Sequence, residues 1–164
     1  MNKKISYGGI GCALTVLFLV LTVYLPSGKA SCLFLASLTV YTVCKKANAK
    51  TGFICYIAST LLAFFLIPAF LSVSIIFFVV CFGNYPIMLN YSIRFKKIYW
   101  MVFLFFYYTV CFVLMYVFAV NILNLVLPFK ILPLYVAGYF VFIIYGRLLV
   151  RTGDYIISRL FKSF

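Results

Sequence analysis

The chain reads as an all-α, polytopic membrane protein of six transmembrane helices, both termini cytoplasmic, ending in a short interfacial helix. Three observations predict this. Of 164 residues, 68% are hydrophobic and 9% charged, against about 45–50% and about 25% in ordinary soluble domains. Apolar runs of about twenty residues recur, the length that crosses a hydrocarbon core of about 30 Å. The 14 Lys and Arg, opposed by one acid, cluster between those runs, as cations do in cytoplasmic loops. A net charge of +13 would suggest nucleic acid in a soluble protein. Between hydrophobic spans it reads as topology, and no nucleic-acid partner is expected.

The first span covers residues 5–25, behind Lys3 and Lys4. Its charge-then-apolar opening imitates a secretory signal peptide. The long core, the lack of a lipoprotein-type leucine in Lys29-Ala30-Ser31-Cys32, and the spans that follow predict that it is retained. Pro26-Ser27-Gly28-Lys29 makes a tight turn, since Pro presets one dihedral and Gly supplies the permissive one. The second span, 30–44, is short. About fifteen residues at 1.5 Å each reach roughly 22 Å, so it must thin the bilayer, recruit flanking residues or be sheltered by neighbours.

After a basic loop, Lys45 to Lys50, the third span covers 52–67 and stops at Pro68. The fourth covers 69–93. Within it Gly83-Asn84-Tyr85-Pro86 should break the helix, because Pro86 lacks an N–H and its ring clashes with the Phe82 carbonyl. Arg94-Phe95-Lys96-Lys97 closes that span, and the fifth, 98–120, is led by Tyr99-Trp100, aromatics that prefer the interface. A longer connection with Asn121, Asn124, Pro128, Lys130 and Pro133 leads to the sixth, 134–150.

With the N-terminus inside, one side receives Lys3, Lys4, Lys45, Lys46, Lys50, Arg94, Lys96, Lys97, Arg147, Arg151, Arg159 and Lys162, which is 12 of the 14 cations. The other receives Lys29 and Lys130. That split favours an even number of crossings. In 154–164, Ile156, Ile157, Leu160, Phe161 and Phe164 recur at helical spacing opposite Ser158, Arg159, Lys162 and Ser163, which predicts an interfacial helix. Asp154, after Thr152-Gly153, is expected as its N-cap or as a partner of Arg151. Residues 1–164 read as a single integral membrane domain without internal repeat.

The same composition prunes the chemistry. With no His, no Glu and only Asp154, the chain cannot assemble a catalytic triad, a carboxylate pair, or a conventional zinc or calcium site. No enzymatic activity, cofactor or metal is expected. Proton- or sodium-coupled transport is disfavoured for the same reason, since such sites usually depend on intramembrane Asp, Glu or His. Cys12, Cys32, Cys44, Cys55, Cys81 and Cys111 sit singly, without CxxC spacing, and read as packing residues.

The first span opens Tyr7-Gly8-Gly9-Ile10-Gly11-Cys12-Ala13, placing Gly9 and Ala13, and likewise Gly8 and Cys12, four apart. Small residues at that spacing let another helix approach closely, because association in lipid relies on van der Waals contact. The partner helix is either another span of this chain or an external protein.

The Lys-led, small-residue first helix, six spans in 164 residues and the near absence of charge within them resemble the substrate-binding membrane subunits, or S components, of energy-coupling factor transporters. The resemblance is architectural and covers the chain. It implies that Gly9 and Ala13 stand where the family carries the small-xxx-small pair that docks a transmembrane coupling subunit, glycine replacing the usual alanine. It further implies capture of a micronutrient outside the cell, followed by toppling in the membrane when coupled to an ATPase pair. The chain has no phosphate-binding loop, so ATP hydrolysis would belong to that partner.

Candidate substrate-binding residues are Lys29, Asn84, Tyr85, Asn121 and Asn124, whose amides, hydroxyl and ammonium could orient a small ligand among aromatic surfaces. Each also has a plain structural role open to it. Asn84 could satisfy the carbonyl freed by Pro86, Asn121 and Asn124 could cap a helix, and Lys29 could lie in solvent or on lipid headgroups. A non-enzymatic scaffold similar to the rod-shape-determining D type is the alternative. It has similar size and span number and needs partner faces but no pocket.

Overall fold

The structure, a computed structural model, describes residues 2–25, 27–67, 73–92, 97–121 and 131–160. They form α1 (Asn2–Tyr24), α2 (Lys29–Lys46), α3 (Ala49–Leu66), α4 (Val73–Phe77), a π-helical turn (Phe78–Phe82), α5 (Tyr85–Ser92), α6 (Lys97–Asn121) and α7 (Ile131–Leu160). No strand occurs among the described residues. Five helical stretches are long and apolar enough to cross a membrane: Ile5–Tyr24, Ala49–Leu66, Ser74–Tyr91, Val102–Val120 and Pro133–Arg159. Their outer faces suit lipid. Phe65 is 87% and Phe106 68% exposed, and soluble monomers rarely display apolar surface on this scale.

The remaining helix, α2, is the centre of the bundle. It reaches 18 residues by including Lys29, Lys45 and Lys46, giving about 27 Å. Nine of those 18 residues are buried, and it packs on α1, α3, α5, α7 and the π-helical turn. The short apolar core is therefore both extended at its ends and sheltered. Gly28, at φ 84°, starts the helix in the left-handed region that glycine adopts without strain. At the far end of α3, Ile67 leaves the helix at φ −105° and ψ 109°, the extended geometry imposed on a residue before proline.

Neighbouring contacts give the helix directions. Thr15 Oγ1 meets Thr39 Oγ1 at 2.6 Å, and Gly11, one turn earlier in α1, lies against Val43, one turn later in α2. These two helices are antiparallel. Ser37 pairs with Tyr145, and Tyr41 with Asp154, so α7 runs parallel to α2. Thr109 bonds Tyr135, while Phe105 packs on Tyr139, so α6 opposes α7. Lys45, Lys46, Lys50, Arg151 and Arg159 are thereby brought toward one end and Lys29 to the other.

Two apolar clusters share α2. One joins Leu19, Ala36, Val40, Ala63, Ile75 and Phe78; the other joins Tyr41, Tyr85, Leu104, Tyr108, Phe142 and Leu149. In the second, α7 receives a tyrosine at each of three glycines. A methyl group at Gly138 would overlap Tyr108, at Gly146 Tyr85, and at Gly153 Tyr41. Close approach of an aromatic ring is what the missing side chain allows.

The expected break ahead of Pro86 is present, and its form was not foreseen. The Gly83 N–H bonds the Phe78 carbonyl at 2.7 Å, an i→i+5 pattern that winds residues 78–82 into a π turn. Beyond it the Asn84 carbonyl accepts from the N–H groups of both Ile87 and Met88 at 3.2 Å. One expectation needs correction. No boundary separates a last span from a helix starting at Asp154, because 131–160 is a single helix. Gly153 lies inside it, packed on the buried Tyr41 ring, and packing there outweighs the roughly 1 kcal/mol helix penalty of glycine. Asp154 is consequently no N-cap; the Tyr41 hydroxyl donates to its Oδ1 at 3.3 Å. Residues 161–164 of the expected interfacial helix lie outside the described residues.

Candidate functional site: a cavity beside the π-helical turn

The π turn leaves main-chain carbonyls without their helical partners, and side chains from flanking helices take over. The Tyr56 hydroxyl of α3 donates to the Val79 carbonyl at 2.8 Å. From α6, the Tyr107 hydroxyl donates to the Cys81 carbonyl at 3.1 Å, and the Cys111 thiol to the Val80 carbonyl at 3.4 Å. A buried carbonyl left unpaired costs on the order of 1–3 kcal/mol, so these bonds make the irregular backbone tolerable between apolar helices. They also hold α3 and α6 on either side of the turn.

Against that turn lies a cavity of about 550 Å³. Its walls are Phe77, Cys81 and Phe82 from the 73–82 segment, Tyr108 to Ala119 along one face of α6, Leu134 to Tyr145 along α7, and Ala30 at the start of α2. Because the walls use the C-terminal half of α6 and the N-terminal half of α7, the cavity sits at the end away from the basic cluster. None of its described lining residues is charged. Two of its hydroxyls are engaged already, that of Tyr108 with the Tyr135 carbonyl at 2.9 Å and that of Tyr145 with Ser37. Edge-on and tilted ring pairs such as Phe82 with Tyr145, at 4.9 Å between centroids, stiffen the wall. The volume falls in the range of small-molecule sites, about 300–1,000 Å³.

The residues singled out from the sequence are distributed differently. Lys29 is exposed one position before Ala30, adjacent to the cavity mouth in sequence but not on its wall. Asn84 is half-buried at the break, where its backbone carbonyl serves two N–H groups. Tyr85 is 3% exposed and packs on Phe142 and Tyr145, with its hydroxyl lodged at Gly146 and unpaired among the described groups. Asn121 is the last residue of α6; Asn124 lies outside the described residues. Lys29, Asn84 and Tyr85 are thus not brought together on the cavity wall. The wall is instead aromatic and sulfur-bearing, and the one sequence sign of its position was the break before Pro86.

The small-residue face of α1 divides in two. Gly8 contacts Thr51, and Cys12 packs with Val43, Ala47 and Cys55, so this pair serves the chain's own α2 and α3. Gly9 and Ala13 are exposed, and a side chain added at Gly9 would meet nothing within 4 Å. Gly11, which the spacing argument passed over, makes the closest approach, against Val43.

These features define a class, an all-helical bundle with helices able to cross a membrane and a neutral aromatic cavity at one end. No family model, curated protein or solved structure matches the chain.

Proposed function

We propose that this chain is the substrate-binding membrane component of an ATP-driven energy-coupling factor micronutrient importer. In this reading it is a multi-pass cell-membrane protein with six crossings and cytoplasmic termini, surrounded by lipid and without enzymatic activity. The observation that carries the reading is the open Gly9/Ala13 face on α1, left free by the bundle that uses Gly8, Gly11 and Cys12 for its own packing. A transmembrane coupling subunit with its ATPase pair would dock there, and a small-molecule substrate would enter the cavity from the cation-poor side. Helix α7, at 30 residues, spans about 45 Å, more than the hydrocarbon core of about 30 Å. Its end, with Ile156 and Ile157 half-buried and Ser158 and Arg159 exposed, would lie at the cytoplasmic interface.

Co-purification with a coupling subunit and ATPase pair tests this directly. Gly9→Leu with Ala13→Leu should abolish capture while the monodisperse bundle survives. Capture that survives the double substitution, or no capture of the native chain in native-like lipid, would refute the docking role.

The scaffold reading of the rod-shape-determining D type keeps one supporting observation. Neither Asn84 nor Tyr85 is among the described residues that line the cavity, and a scaffold needs no ligand contact from them. Thermal stabilisation of the purified chain by a small solute would count against it.

A further inference from the structure

Two cysteines far apart in sequence meet at the cavity. Cys81 belongs to the π turn and Cys111 to α6, and both line the cavity wall. Met115 lines the same wall. It stands four residues beyond Cys111 on α6, a spacing that puts side chains on one helix face with Cβ atoms about 5–6 Å apart. Sulfur is therefore presented to one cavity from two elements, and the bond from Cys111 to the Val80 carbonyl ties those elements together at 3.4 Å.

We propose that Cys81, Cys111 and Met115 form a binding site for a soft monovalent metal ion, Cu(I) in particular. Thiolate and thioether ligands select soft ions. No group of three or more His, Cys, Asp or Glu gathers among the described residues, so the nitrogen and oxygen donors that complete usual zinc or calcium sites are missing here. Charge makes the same selection. An apolar cavity disfavours net charge, and a monovalent ion bound by one thiolate, one thiol and one thioether is neutral. Binding would release one proton from the thiol that becomes thiolate, with no change of oxidation state. The proposal shares the cavity with the importer reading and specifies its cargo, but it is read on the isolated chain, so its failure leaves docking at Gly9 and Ala13 untouched and failed docking leaves it standing.

The test is anaerobic titration of the purified chain with Cu(I) against a competing chromophoric chelator. The native protein should take up one ion per chain. Cys81→Ala/Cys111→Ala should lose that uptake, Met115→Leu should weaken it about tenfold, and Cys44→Ala/Cys55→Ala, in the packed interface of α2 and α3, should bind as the native chain does. No uptake by the native chain, uptake unchanged in the Cys81/Cys111 double variant, or uptake that depends on Cys44 and Cys55 would overturn the proposal. If that double variant does not fold, alkylation of the native chain by N-ethylmaleimide decides. Bound Cu(I) should protect Cys81 and Cys111 selectively, and equal labelling of these two with and without the ion would overturn the site.

Discussion

The ring of Tyr56 lies across Gly83, close enough that a methyl group there would overlap it, and from that position its hydroxyl reaches the Val79 carbonyl at 2.8 Å. The glycine and the tyrosine act together. One opens the gap, the other closes the hydrogen bond that the π turn left unmade. The turn is thus tied to α3, while Tyr107 and Cys111 tie it to α6, and Cys111 also lines the cavity.

Tyr56→Phe keeps the ring and deletes the donor. We expect a loss of about 1 kcal/mol, the net value of such a bond, seen as a lower unfolding midpoint in detergent. An unchanged midpoint would mean that the Val79 carbonyl finds another donor.

Tyr85→Phe should do the opposite. Its hydroxyl is buried without a partner among the described groups, so removing it should leave stability unchanged or raise it by about 1 kcal/mol. A marked loss of stability or of solute binding in Tyr85→Phe would assign that hydroxyl a ligand.

The glycines of α1 should separate sharply. Gly11→Leu forces a side chain into Val43, and overpacking of this kind costs about 1–3 kcal/mol, so the folded yield should fall. Gly9→Leu enters open space and should fold like the native chain. Size-exclusion profiles and unfolding midpoints of the two variants make the comparison.

At the other end of the bundle, Gly153→Leu should be more damaging than Asp154→Asn. The first displaces the fully buried Tyr41 ring, whereas the second preserves an acceptor for its weak 3.3 Å bond. Equal midpoints for the two variants would show that α7 is not seated through Gly153.

Gly138→Leu should push Tyr108 out of its place and break the 2.9 Å bond to the Tyr135 carbonyl. Since α6 and α7 line the cavity together, the variant should lose it along with roughly 1–3 kcal/mol. Cu(I) uptake and midpoint are expected to fall together.

Local chemistry was legible wherever one residue acts on its own backbone or on its own solvent. Pro86 announced the break, Gly28 the left-handed turn, and Ile67 ahead of Pro68 the end of α3. Thr152-Gly153-Asp154 misled, since the same residues that suit a helix start also suit a glycine seat for a distant ring. Polarity marks Asn84 and Tyr85 in the sequence, whereas packing turns Tyr85 inward against Phe142 and Gly146 and lines the cavity with Phe, Tyr, Cys and Met.

Hydropathy and charge spacing, summed residue by residue, determined by themselves that this is an all-helical chain with apolar rods and cations gathered between them. Which glycine receives which tyrosine, which carbonyls of the π turn are answered from α3 and α6, and which two of six cysteines meet were decided only by the tertiary structure. Those relations join residues from 23 positions apart, Tyr56 and Val79, to 112 apart, Tyr41 and Gly153, and they depend on helix direction and rotation, which no local pattern of side chains specifies.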